Sequence, residues 1–346
     1  MINKVFKKKI VLVTGASGSI GSEIVKKLLQ TECRVVRALS NDENGIYNLG
    51  NILNTEIDNN INKTMLKNKI RFIIGDIKDF KRNLEVTRDV DIVIHAAAMK
   101  HVPICEYNPI ETFKTNIEGT RKLVKASIVN KVKKFLFIST DKAVNPTNVM
   151  GKSKLKAENI VLGFNFKQNR TIFSVIRFGN IIGSRGSVLP FFISQIKNKK
   201  NITLTDINAT RFFITINSAT KEIFNAISVM KGEELFVINN MKSFKIIDLI
   251  KSLKIILNYN KKVKIVGLRP GEKLHESLLT DKELSFSTVK NNLIIINNQK
   301  KFYKKKINKN FIENLSSETA NHLTKKEIIG FLKNNFNFSK IEDISL

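Results

Sequence analysis

Residues 10–21 read IVLVTGASGSIG: an apolar run ends at Thr14 and gives way at once to glycines at positions 15, 18 and 21. Five consecutive apolar or β-branched residues suit a strand buried on both faces. Glycine is required where a backbone turns sharply and lies close against a pyrophosphate, and the helix N-terminus that follows favours the negative charge. Three glycines alone carry little weight. Set between a strand and a helix, they predict a dinucleotide cradle of Gly15, Ser17, Gly18, Ser19, Ile20 and Gly21.

Outward from this stretch, apolar runs alternate with helical patterns. Residues 35–39, 71–74, 92–95, 135–139 and 172–176 read as strands, and 23–30 and 117–129 as helices with apolar residues three and four apart. That alternation predicts an α/β fold with a Rossmann-type doubly wound parallel sheet. Beyond about residue 190 the pattern is shorter and mixed, with strands at 203–205, 211–216 and 235–238 and a helix at 246–253, as in a smaller mixed α/β substrate-binding cap. The expected division is 1–180 for the dinucleotide-binding region with its catalytic residues and 181–335 for the substrate region, partly interwoven with the first. A helix at 325–335 and a tail at 336–346 close the chain.

The strand ends supply the rest of the cofactor reading. The second strand runs into Ser40 and Asp42, where an acidic side chain suits the ribose hydroxyls of NAD; an arginine would suit the phosphate of NADP, and Arg37 lies within the strand. The residues lean to NAD, with NADP open. Asp76 and Ile77 follow the third strand, Asp76 as a partner for the adenine amino group or as a turn former. Ala96, Ala97 and Ala98 leave room for a flat cofactor, and equally suit close packing.

A second stretch, 139–158, reads STDKAVNPTNVMGKSKLKAE. Thr140, Asp141 and Lys142 stand at a strand end, while Met150 and Lys154 lie one turn apart on one helix face. Both converge where an open α/β sheet holds its ligand.

Composition narrows the class. The net charge of +29 raises nucleic-acid binding, yet the lysines are scattered among many Asn and Ile, as AT-rich coding produces. Only 300–309 is dense, with Phe302 and Tyr303 interleaved as in a single-strand binder. No specific nucleic-acid partner is expected; attraction of an anionic small substrate is the other use of such a field. Cys33 and Cys105 are isolated, so neither a disulfide framework nor a metal site is implied. No apolar run approaches a membrane span, and the lysines at 7–9 lead into too short a core for a signal peptide, so a cytoplasmic protein is expected.

TGASGSIGSE, GDIKD, HAAAMKHVPICEYNP, TNIEGT, STDKAVNPTNVMGKSK, RFGNIIGSRGSVLPFF, TRFFIT and RPGEKLHE follow one another in the chain, with SSETANHLTKKEI further on. Together they resemble the extended short-chain dehydrogenases and, among these, the CapD-type polysaccharide-biosynthesis nucleotide-sugar 4,6-dehydratases. Larger relatives carry an N-terminal membrane region, whereas this chain opens at the nucleotide-binding strand. Related dehydrogenases place a catalytic Tyr four residues before the helix Lys. Met150 stands there and cannot do acid–base chemistry, as is frequent in this dehydratase family.

The resemblance implies a homo-oligomeric enzyme with tightly bound, recycled NAD or NADP. It would convert UDP-N-acetylglucosamine to a UDP-4-keto-6-deoxy-N-acetylhexosamine for surface glycan synthesis. It assigns Lys142 as the base at C5, Asp141 as acid or proton relay towards O6, Thr140 as partner of O4, and Lys154 to the nicotinamide ribose. Lys100 and Asn116 would shape the cofactor and sugar sites; Asn180, Arg185, Gly186 and Ser187 would cover the diphosphate. Arg211 and Arg269 would pair with phosphate, Glu272 would hold a ribose or orient Arg269, and His101 and His275 would be scaffold. A UDP-hexose 4-epimerase of the same fold and a non-enzymatic dinucleotide-binding regulator are the competing readings.

Overall fold

The opening apolar run becomes β1 (Ile10–Thr14), buried at every residue, in a computed structural model that describes residues 2–56, 68–167, 170–239, 241–297 and 314–338. The lysine-dense run 300–309, with Phe302 and Tyr303, and the end of the tail from 339 lie outside the described residues. In chain order the other strands are β2 (Val35–Ser40), β3 (Ile70–Ile74), β4 (Ile92–His95), β5 (Lys134–Ile138), β6 (Ile172–Arg177), β7 (Asn180–Ile181), β8 (Ile202–Leu204) and β9 (Thr210–Ile214). Then come β10 (Leu235–Ile238), β11 (Lys242–Lys245), β12 (Val263–Ile265), β13 (Ser287–Lys290) and β14 (Leu293–Ile296).

Nine of these form one sheet in the order β13-β14-β10-β6-β5-β4-β1-β2-β3. It is parallel from β10 to β3, and β13 and β14 add an antiparallel edge. Strand order reverses between β1 and β4, whose ends Thr14 and His95 lie in register. At such a switch point the connections leave in opposite directions, and a crevice opens beyond the strand ends.

Each face of the sheet is covered by apolar stripes. Ile24, Val25 and Leu28 of the helix Ser19–Leu29 pack with Phe224 and Ile227 of the helix Ile216–Val229 on one face. Val86, Leu123, Val124, Ala157 and Val161 fill the other. Leu123 and Val124 belong to a helix read from sequence as 117–129, which in fact begins with a widened π-helical turn, Lys114–Gly119, before the α-helix Thr120–Val129.

The later part of the chain both returns to the main sheet, through β10, β13 and β14, and builds a smaller unit. That unit has the sheets β11-β9-β7 and β12-β8 and its own core, in which the Phe213 and Phe244 rings stack at 4.2 Å and Leu249 and Leu253 meet Ile328 and Leu332. A buried arginine joins the layers. Arg177, at the end of β6, donates to both oxygens of Glu158 at 2.8 and 2.6 Å and meets Glu283 at 2.9 Å.

Candidate active site

A cleft of about 890 Å³ lies beyond the ends of β1, β2, β4 and β5. Its walls include Gly15, Ser17, Gly18, Ser19, Ile20, Gly21, Ser40, Asp42, Asp76, Ile77 and Ala96–Ala98. Gly15 has φ +64°, and a Cβ there would stand 2.8 Å from the Ala97 backbone, so the loop turns and closes on β4 only as glycine. At the end of β2, Ser17 Oγ lies 2.8 Å from Ser40 Oγ and donates to Asp42 Oδ2 at 3.3 Å, while Asp42 Oδ1 accepts from Gly45 N–H at 2.9 Å. Arg37 points elsewhere and donates to the carbonyls of Val86 and Arg88.

Beneath the cofactor walls runs a hydrogen-bond chain. Ala97 N–H donates to Thr14 Oγ1, which lies 2.7 Å from His95 Nδ1; His95 Nε2 is 2.9 Å from Thr120 Oγ1, which donates to the Asn116 carbonyl. Only a neutral His95, protonated on Nε2, satisfies every member. Full burial and the nearby Lys154 push its pKa down to about 3, in agreement. Asn116 does not line the cleft: it is buried, donating to the Met99 carbonyl and Ser153 Oγ and accepting from Met99 N–H. It shapes the wall at 97–99 from behind.

The stretch 139–158 folds as a turn followed by a helix. Thr140 caps a short 3-10 turn, Asp141–Ala143, and Asn148 caps the helix Val149–Gly163 by accepting from Gly151 N–H. Gly151 has no side chain because the Lys142 carbonyl occupies that space. Thr140, Lys142, Met150 and Lys154 all line the cleft. Asp141 stands behind them, fully buried: its Oδ1 accepts from Thr140 Oγ1 at 2.9 Å and from Lys142 Nζ at 3.0 Å. Asn180 Oδ1 holds the same ammonium at 3.0 Å.

Lys142 does not show the depressed pKa that a lysine needs to act as a base near neutral pH. Burial lowers its pKa, but Asp141 and then Glu276 overcome this and hold it above the ordinary lysine value. Lys154 goes the other way. Burial lowers it to about 8, with Glu158 opposing, while its Nζ donates to the Ile138 carbonyl at 2.7 Å and sits 4.2 Å from the Phe137 ring centroid.

A loop from the second half crosses the cleft. Arg185 N–H donates to Ser19 Oγ at 3.1 Å, its guanidinium donates to the Ser17 carbonyl, and Lys100 Nζ donates to the Arg185 carbonyl at 2.7 Å. Gly186, at φ +66°, passes over the His101 ring, where a Cβ would stand 2.4 Å from Cε1. Asn180, Arg185, Gly186, Ser187 and Lys100 thus line one wall. Arg211, Arg269 and Glu272 do not. The Arg211 guanidinium is engaged by the Thr210 and Leu274 carbonyls and by Glu272 Oε1 at 3.0 Å. Glu272 also accepts from Thr205 Oγ1 and, on Oε2, from Arg269 N–H, leaving the Arg269 side chain outside the wall.

The sequence reading passed over Glu276, inside RPGEKLHE. It is 3% exposed, with Oε1 3.6 Å from Lys142 Nζ. Its motif was visible; its partner, distant in sequence, was not. Ser139 Oγ, Asp141 Oδ2, Ser187 Oγ and Glu276 Oε2 are buried without a hydrogen-bond partner. Ser139 and Ser187 belong to the cleft wall, as expected of a site that takes a polar ligand. Glycine cradle, small-residue wall, ribose-side carboxylate and a lysine near the strand ends fit a nicotinamide dinucleotide.

The model of the polysaccharide biosynthesis protein family matches residues 11–298. A Methanocaldococcus jannaschii protein named as an uncharacterized membrane protein is 44% identical over 292 residues, 82% of this chain and 84% of that one. The UDP-N-acetylglucosamine 4,6-dehydratase (inverting) of Campylobacter jejuni is 39% identical over 279 residues, 80% and 78% of the two chains. The capsular polysaccharide biosynthesis protein CapD of Staphylococcus aureus is 41% identical over 82% of this chain, which spans only 47% of that protein. A Rickettsia bellii protein named UDP-glucose 4-epimerase is 36% identical, over 81% and 80%. Among solved structures, Pen from Bacillus thuringiensis superposes with a TM-score of 0.86 at 35% identity, over 96% of this chain and all of that one. On sequence and fold together, this chain belongs to the polysaccharide biosynthesis protein family, in its CapD-type branch.

Proposed function

We propose that the chain is an NAD(P)-dependent nucleotide-sugar 4,6-dehydratase that converts UDP-N-acetylglucosamine to a UDP-4-keto-6-deoxy-N-acetylhexosamine for glycan synthesis. The observation that carries this reading is the cluster at the tip of β5. A hydroxyl and an ammonium line the cleft there, both hydrogen-bonded to one buried carboxylate, Asp141, and a methionine stands in the wall in place of a phenol.

The roles follow from that arrangement. Bound in the cleft, NAD(P) supplies reversible hydride acceptance, so the reaction involves no net redox change. Thr140 Oγ1 holds O4 and passes its proton to Asp141, because Thr140 alone of the two reaches the cleft. Asp141 returns that proton, by the same hydroxyl, to the departing C6 oxygen as water forms. Lys142 takes the proton from C5 once the 4-ketone has acidified it, and gives one back there at the end. Lys154 holds the nicotinamide ribose, with Met150 as an apolar wall. Asp42 takes the adenosine ribose hydroxyls, which favours NAD since Arg37 is turned away. The strap 184–187, with Lys100, lies over the diphosphate. Arg211, Glu272 and Arg269 stiffen the edge of the substrate site.

A 4-epimerase is the second reading, supported by the Rickettsia relative. It places the whole acid–base burden on a hydroxyl–phenol pair, of which Met150 removes one half. Incubation with UDP-N-acetylglucosamine and NAD in heavy water, followed by NMR, tests the two. A 4-keto-6-deoxy product with deuterium at C5 is expected; UDP-N-acetylgalactosamine would establish the epimerase. No turnover, with polynucleotide binding that survives physiological salt, would leave the regulatory reading.

A further inference from the structure

The reaction proposed above needs Asp141 to begin as a carboxylate, because it stores the O4 proton, and Lys142 to begin as a free amine, because it takes the C5 proton. The structure offers Lys142 as an ammonium held by two carboxylates, which are the nearest bases for its surplus proton. Asp141 is committed. Glu276 is the other, its Oε1 3.6 Å from Lys142 Nζ and its Oε2 buried without a hydrogen-bond partner. Nothing in the reaction uses it otherwise.

We propose that Glu276 acts through Lys142, accepting the ammonium proton when substrate fills the site and holding it for the whole catalytic cycle. In that step one N–H bond of Lys142 breaks and an O–H bond forms on Glu276, leaving amine and carboxylic acid, both neutral. The amine lone pair then takes the C5 proton, and the C5–H electrons enter the 4-keto system. When the proton returns to C5, the amine is regenerated and Glu276 has kept its own. The inference rests on the dehydratase reading.

The surroundings of Glu276 suit the task. Lys142 faces it from the turn after β5, Arg211 Nε from β9 at 4.0 Å, and Lys273 Nζ from its own segment at 4.0 Å; Asp141 adds a second negative charge beyond Lys142. Burial first, then Asp141, raise its carboxyl above the ordinary glutamate value, against the three cations. Transfer of a proton from the adjacent ammonium to a carboxyl so placed removes two buried charges at once, which offsets part of its cost. Its backbone is fixed from afar. Glu276 N–H donates to Ser317 Oγ and Ser317 N–H to the Glu276 carbonyl, both at 2.8 Å, and Ser317 Oγ lies 2.8 Å from Thr210 Oγ1. Thus the segment around 314–323 sets the carboxyl opposite Lys142.

The test is Glu276→Gln, which keeps the backbone bonds and the shape but cannot take a proton. If Glu276 is the acceptor, Lys142 must shed its proton to solvent in the variant. Turnover of UDP-N-acetylglucosamine at pH 7 then falls at least about tenfold and recovers about tenfold per pH unit on going alkaline, while Glu276→Asp restores part of the rate without that slope. If Glu276 only anchors the ammonium, removing its charge lowers the Lys142 pKa. The variant would then match or exceed the parent at pH 7 with its acid limb moved down, which overturns the proposal. Infrared difference spectra with NAD and UDP-N-acetylglucosamine present read the proton without turnover. A protonated-carboxyl band that vanishes in Glu276→Gln is expected, and its absence from the parent overturns the proposal. If the parent shows this band but forms no 4-keto-6-deoxy sugar, the dehydratase reading fails and the proton assignment stands. Should Glu276→Gln not fold, Glu276→Asp carries the same test, since a shortened acid with unchanged turnover and no carboxyl band also excludes a stored proton.

Discussion

Lys78 and Lys142 both line the cleft between two carboxylates, but only at Lys142 are both partners, Asp141 and Glu276, buried, and this makes it the residue on which the chemistry is most exposed. Lys142→Ala is expected to cut turnover by about two to four decades, the usual span for a general base, with NAD binding by calorimetry unchanged. A variant at full speed would remove Lys142 from the mechanism. His95 permits a prediction of a different kind. Its folded pKa, about 3, lies below the ordinary 6.5, so between these values the unfolded chain binds a proton that the folded chain refuses. Stability is therefore fully present above pH 6.5 and lost as pH falls towards 3, by about 1.4 kcal/mol per pH unit from this site alone. Urea denaturation at pH 7 and pH 5 should show a smaller decline for His95→Gln than for the parent. Equal declines would mean that His95 is not the group responsible. Residue types at strand ends were legible in the sequence: the glycines, Asp42 and Thr140–Lys142 stand on the cleft wall or directly behind it. The partners of Arg211 were not, because a guanidinium looks free in sequence until the carbonyls around it are known.

The elements place these residues through two tight junctions. At the first, the helix Val149–Gly163 meets the turn carrying Lys142 at Gly151, where any side chain would strike the Lys142 carbonyl. Gly151→Ala should push Met150 and Lys154 away from Thr140 and Lys142. A displacement of about 1 Å costs on the order of a hundredfold in rate, and kcat should fall while the Tm changes little. Retained kcat would show that the junction tolerates the shift. At the second, Arg177 bridges Glu158 and Glu283 within the core. Arg177→Met leaves two carboxylates facing each other without a cation, at a cost of about 3–5 kcal/mol. Adding Glu158→Met should recover part of that loss in chemical denaturation, whereas additive losses would mean the pair is not coupled. Elements with strong periodicity, such as β1, β10 and the helix Lys325–Asn335, were readable at their true positions. The helix Glu43–Glu56 was not, since four asparagines and two glycines blur its apolar stripe.

On the scale of the molecule, a charge of +29 would draw an anionic substrate towards the cleft. If so, kcat/KM for UDP-N-acetylglucosamine should drop several-fold between about 10 and 150 mM salt, as the Debye length shrinks to about 8 Å, with kcat nearly constant. A flat profile would show that the field does not steer substrate. Among the described residues no helix is long and apolar enough to cross a membrane. By itself the sequence determined the strand–helix alternation, the glycine turn after β1 and the chemical types at the strand ends. All of these follow from interactions among neighbours in the chain, which leave a periodic or compositional trace. Tertiary structure alone decided that Asp141 stands behind Thr140, that Asn116 supports the wall instead of forming it, and that Glu276 stands opposite Lys142. Those relations join residues far apart in the chain, and close packing and the need to satisfy every buried charge fix them without leaving a spacing to read.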